Sequence, residues 1–197
     1  QNGVWEYGCR NNQNVGSKVI MAMTLITTNT ESNATSSSFT SSIDSTYKLY
    51  IFKFLNINPA TDSTEFSFQV NAAAGSGYNE TITSTSFYAS HQEDDGATNL
   101  AYDAADDQAQ GTAFNRLAEN IGNGADESCS GTMWLFNPSN TTYVKHWYSR
   151  INGYQLSNIT YDYLFAGYIN TTSAIDDIQF KMSSGNFDGT IKMYGVG

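Results

Sequence analysis

Charge is scarce in this chain. Only 14% of its 197 residues are Asp, Glu, Lys or Arg, against roughly 25% in an average soluble domain. Lysine and arginine together number nine, so the long straight side chains that favour helices are few and a mainly helical fold is disfavoured. Those nine bases face 19 acids, giving a formal charge of −10. Such a balance repels phosphate instead of neutralising it, so no nucleic-acid partner and no anionic membrane surface are expected. Long apolar runs are missing as well. The best candidate, Val19 to Ile26, contains Thr24 and has the length of a strand, so no membrane insertion is expected.

Cysteine and histidine occur twice each. Cys9 and Cys129 lie far apart and match neither a metal-ligand nor a redox spacing. Two buried thiols, or a disulfide tying the N-terminal arm to the strand at 130–137, both remain open. His91 and His146 have no Cys or Glu at ligand spacing, and the sequence holds no nucleophile elbow, dinucleotide fingerprint or zinc-protease motif. No catalytic residue, metal ligand or cofactor is assigned. The sequons at Asn33, Asn79, Asn140, Asn158 and Asn170 occur about as often as composition alone produces, so they say nothing of a secretory route. The chain starts at Gln1 with neither an initiator Met nor a recognisable signal peptide; a processed product or a piece of a longer chain is expected.

What the chain has instead is Thr, Ser, Asn and aromatic residues, the last at 14%, and Thr, Tyr, Phe, Val and Ile suit a pleated surface. Period-two patterning predicts strands at Val19–Ile26, Tyr47–Ile57, Glu65–Asn71, Thr81–Ser90, Gly131–Asn137, Thr142–Ile151, Tyr161–Ile169, Asp176–Ser183 and Thr190–Val196. That count predicts an all-β, two-sheet antiparallel sandwich, with a jelly roll as one version of it. The expected organisation is an N-terminal arm over 1–18 and one sandwich domain over 19–197.

Tyr47–Ile57 is apolar on both faces and reads as a central strand, and Phe52, Phe54, Phe66 and Phe68 are expected in the core. Thr27–Ser42 is either a long loop or a polar edge strand. Asn58-Pro59-Ala60-Thr61-Asp62 reads as a turn, and Ser184 to Gly189 as the turn of a closing hairpin. One helix is expected near 108–121, where Phe114, Leu117, Ala118 and Ile121 fall at i, i+3, i+4 and i+7 with Gly122 as a cap.

Two groups of residues could carry function. The acidic stretch from His91 to Asp95, with Asp103, Asp106, Asp107, Asp126 and Glu127, offers oxygens for Ca²⁺ but lacks the fixed spacing of a calcium loop, so solvated loop charge is the expectation. Aromatic residues are densest from Tyr143 onward. Trp147, Tyr148, Tyr154, Tyr161 and Tyr163 are the candidate binding residues, because Tyr and Trp present a flat apolar face with a hydrogen-bonding rim to sugars and protein interfaces alike. Core packing is the rival reading. Alternation sends Tyr143 and Trp147 to one face and Tyr148 to the other.

Three segments resemble a family of marine bacteriophage structural proteins: Tyr47-Lys48-Leu49-Tyr50 through Asp62, Leu135-Phe136-Asn137-Pro138-Ser139 through His146, and Phe180-Lys181-Met182-Ser183-Ser184-Gly185-Asn186 through Gly195. The resemblance spans roughly residues 20–197, and its C-terminal strand-turn-strand is the most specific part. It implies a virion surface role, as a fibre, appendage or capsid decoration, with other virion proteins and a host surface glycan or receptor as partners. It carries over no catalytic position.

A carbohydrate-binding module of a secreted or cell-surface protein is the alternative function, and a jelly-roll polysaccharide lyase or hydrolase the second. Thirteen Tyr, 11 Phe and three Trp exceed what two inner sheet faces hide easily, so association with further copies is expected. The resemblance sharpens that expectation to a homotrimer.

Overall fold

The computed structural model describes residues 22–73 and 75–197. The N-terminal arm, Cys9 and its pairing with Cys129 therefore lie outside the described residues, as does the start of the first expected strand. Twelve strands follow one another: β1 Met23–Ala34, β2 Ser37–Phe39, β3 Leu49–Pro59, β4 Thr64–Ala72, β5 Ile82–Gln92, β6 Thr98–Tyr102, β7 Asn115–Ile121, β8 Cys129–Phe136, β9 Lys145–Gln155, β10 Ile159–Ile169, β11 Ile175–Met182 and β12 Phe187–Val196. Every pairing between them is antiparallel.

Eight strands run side by side in the order β1-β12-β3-β8-β9-β10-β5-β6, and four more in the order β2-β11-β4-β7. The two sheets pack face to face and touch at one edge, where Ile121 of β7 pairs with Gln155 of β9. The result is an all-β, sandwich-like fold that is nearly closed into a barrel. The pairs β3 with β12, β4 with β11 and β5 with β10 are nested, as when one long hairpin is rolled up, which is also how a jelly roll winds.

Two connections between the sheets lie together at one end. The β3–β4 and β11–β12 links cross there side by side, joined by Ala60 N–H donating to Asn186 O at 2.8 Å. Asn186 Nδ2 also donates to Asn33 O at 3.0 Å, drawing in the end of β1. Gly185 has φ of 72° and a side chain there would strike Thr61, so the crossing needs glycine. The segment from Ser184 to Gly189 was expected to close a hairpin. It instead carries the chain from one sheet to the other, because β11 pairs with β4 and β12 with β3.

The expected helix over 108–121 is absent. Asn115–Ile121 is strand β7, and the described residues contain no helix. The cause is physical: β7 is bulged against β4, with register shifts around Phe66. A bulge turns two neighbouring residues inward, so Leu117 and Ala118 are both buried and Ile121 follows three residues later. That spacing imitates a helical period. The ambiguous stretch from Thr27 is largely the polar edge strand β1, with β2 after it.

Between the sheets lies a core of phenylalanines. Phe52 and Phe54 of β3 meet Phe66 and Phe68 of β4, all at most 1% exposed. Phe180 of β11 sits among them, with ring centroids 5.1 Å from Phe54, 5.3 Å from Phe52, 6.0 Å from Phe66 and 6.2 Å from Phe39. These distances fit edge-on and offset packing. Strand β3 is central in its sheet, between β12 and β8: Tyr50, Phe52 and Phe54 are buried on its inner face, and on the outer one Ile51 is 9% exposed and Leu55 42%.

Candidate functional site

The five aromatic candidates do not form one cluster. Trp147 is 2% exposed and stands edge-on to Phe68 at 4.7 Å, in the core. Tyr163 is also buried, donating its hydroxyl to Glu119 O at 2.8 Å while Gln155 Nε2 donates to it at 2.7 Å. Burial raises its pKa. Tyr161 stacks on Tyr163 at 5.2 Å and packs against Tyr88 at 5.0 Å, half-buried on the same inner face. Tyr154 faces outward at the far end of β9, near Glu93 and Asn158. Only Tyr148 stands on an open aromatic surface.

That surface is the outer face of the eight-stranded sheet, and its composition follows from alternation. In β8, Met133 and Leu135 turn inward, so Trp134 and Phe136 turn outward. In β9, Trp147 and Ser149 are buried and Tyr148 is exposed. Register then sets Trp134 directly opposite Tyr148. Their rings stack at 4.5 Å with 23° between planes, and Phe136 stacks on Tyr148 at 5.5 Å.

The row continues across the sheet through Ile51, Tyr194 and Leu25, so an apolar ridge spans five strands, about 19 Å at the usual strand spacing. Beyond Phe136 it meets a depression of about 490 Å³ lined by Tyr143, Val144 and His146. The next row is basic: Lys192 opposite Lys53, then Thr132 and Arg150. Arg150 is held by Asp162, with Nη2 2.6 Å from Oδ2. Neither Lys53 nor Lys192 has a carboxylate partner among the described residues.

A second grouping lies at the edge where the sheets touch. Asp103 and Asp106, from the β6–β7 loop, and Glu119 of β7 each bring a carboxylate oxygen within 4.8 Å of the others. Asp103 Oδ1 accepts from the Ala105 N–H at 3.0 Å, which shapes the loop. Asp106 pairs through Oδ1 with Arg116 Nη1, and Arg116 Nη2 lies 3.7 Å from Glu65.

Burial raises the pKa of Asp106, against the opposing pull of Arg116. Burial, followed by the charges of Asp106 and Asp103, pushes the Glu119 carboxyl up to about 7. A carboxyl whose folded pKa exceeds its unfolded one adds stability below the unfolded value, near 4.5, and loses it as pH rises through the folded value. In chelator, the melting temperature is therefore expected to fall between pH 5 and pH 8. Glu119→Gln should flatten that decline; calorimetric melts giving parallel profiles for the two proteins would refute it.

The sequence grouped Asp103 and Asp106 with the runs at 91–95 and 126–127. The fold instead joins them to Glu119, which reads on its own as part of the expected helix. Asp95 is 90% exposed and paired only with His91. No protein-family model matches the chain, and no curated protein matches it either.

Proposed function

We propose that the protein is a virion surface structural protein of a bacteriophage, working through assembly and surface contact rather than catalysis, with a second copy of itself docked on the outer ridge. The observation that carries this reading is the ridge of Trp134, Phe136 and Tyr148. Rings stacked face to face cover one another's flat surfaces and offer mainly their edges outward. A sugar ring needs an open aromatic face, so stacking of this kind favours a protein partner over the carbohydrate-binding alternative.

Charge supports the choice of occupant. Lys53 and Lys192 stand opposite each other, an arrangement that costs stability in an isolated sheet, and an acidic surface laid over them would offset that cost. This chain, at −10, is itself such a surface. Contact between different faces of successive copies closes into a ring, and the resemblance in the C-terminal strands points to three-fold symmetry.

Light scattering of the full chain at micromolar concentration should give three times its mass of 21.6 kDa. The double substitution Trp134→Ala and Tyr148→Ala should shift it to monomer without changing the β-sheet circular dichroism. A wild-type chain that stays monomeric would defeat the assembly reading. An image of native particles lacking copies at symmetric surface positions would defeat the virion reading.

A further inference from the structure

We propose that Asp103, Asp106 and Glu119 form a calcium-binding site that clasps the β6–β7 loop onto strand β7. Three carboxylate oxygens within 4.8 Å of one another need only small side-chain adjustments to share a single ion at ~2.4 Å, the usual Ca²⁺–oxygen distance, with water completing the shell. An acidic cluster alone would mean little. The independent sign is Asp106: its side chain is 1% exposed, its Oδ1 is taken by Arg116, and its Oδ2 is buried with no hydrogen-bond partner. A buried carboxylate oxygen without a donor is costly, and a ligand is the simplest remedy.

Charge points the same way. With all three carboxyls ionised, they outweigh one guanidinium by two negative charges, before Glu65 is considered, and one divalent cation neutralises them. The donors are all hard oxygens, the set that suits Ca²⁺ and not a thiolate- or imidazole-seeking metal. The exposed acids at 93–95 and 126, and the half-buried Glu127, are not part of this site.

Terbium serves as the probe, because it substitutes for Ca²⁺ in oxygen sites and its emission is sensitised by nearby tyrosines. Tyr163 touches the backbone of Glu119 and Tyr161 stacks on it. Full-length protein excited in its tyrosine band should give saturable emission at one equivalent of Tb³⁺, displaced by CaCl₂, and CaCl₂ should raise the melting temperature. Glu119→Gln and Asp103→Asn should weaken both ions at least tenfold, while Asp95→Asn should not.

These two variants remove like charge from a crowded group. Their metal-free melting temperatures should equal or exceed that of the wild type, which separates lost binding from lost folding. Absence of saturable emission at millimolar Ca²⁺-competable concentrations, or wild-type affinity in both variants, would overturn the site. Either result leaves the assembly reading of the outer ridge untouched.

Discussion

Replacing Phe180 with alanine should lower the melting temperature by roughly 6–20 °C. Phe180 is fully buried and lies within 6.5 Å of the rings of Phe39, Phe52, Phe54, Phe66 and Phe68. A Phe→Ala change at such a position costs about 3–5 kcal/mol, because a cavity is added to the lost transfer energy. In a domain of this size each kcal/mol moves Tm by roughly 2–4 °C. The surrounding rings come from both sheets, so neither sheet can relax inward without pulling its own ladder out of register. Phe87 is the control. It stands 42% exposed on β5, and Phe87→Ala should change stability by no more than about 0.5 kcal/mol. Equal melting temperatures for the two variants would mean that the rings around Phe180 do not form the core.

How much of this was legible in the sequence depends on what each element needs. Strands with one dry face announce themselves: Phe66, Phe68 and Val70 alternate with Glu65, Ser67 and Gln69, and β4 is where that pattern puts it. Strand β6 left no such mark, since Thr98 to Tyr102 is an exposed edge with Leu100 74% exposed, and an edge that buries nothing has no period to read. Strand β7 reads as a helix because its bulge lies in the pairing with β4, and pairing is a long-range fact. The same limit explains the hairpin mistaken at Ser184–Gly189. Gly185 and Asn186 correctly signal a turn, but turn chemistry cannot say which strands the turn joins.

The functional surfaces divide in the same way. Period two correctly separates Trp147 from Tyr148 but does not say which face is the core, and it puts Tyr143 with Trp147 although Tyr143 lies before β9 and is 69% exposed. Trp134 and Phe136 have the right parity on β8, but only the register of β8 against β9 shows that Trp134 meets Tyr148. The carboxylate cluster was less visible still. Asp103 and Asp106 are in view as loop acids, but Glu119 enters the group only through the curl of β7 toward β9.

Substituting Arg116 with methionine should cost about 1–3 kcal/mol and should be partly reversed by calcium. Arg116 is the only cation paired with Asp106 among the described residues. Methionine can fill much of the space left by the aliphatic stem, so the main loss is of charge. Breaking one partner from a buried ion pair is more damaging than deleting both, since the remaining charge is left in a place water does not reach. Here that charge is Asp106, whose other oxygen already lacks a donor, with Asp103 and Glu119 adding repulsion.

The double variant Arg116→Met with Asp106→Leu should therefore recover much of the stability, despite carrying two changes. Chemical denaturation in chelator measures the first effect, and a single variant no less stable than the double one would refute it. Repeating the titration in millimolar CaCl₂ tests the second. A divalent ion in the cluster would take over the neutralising role of the guanidinium, so the midpoint of Arg116→Met should rise more than that of the wild type. An equal rise in both would mean that calcium does not act at Asp106.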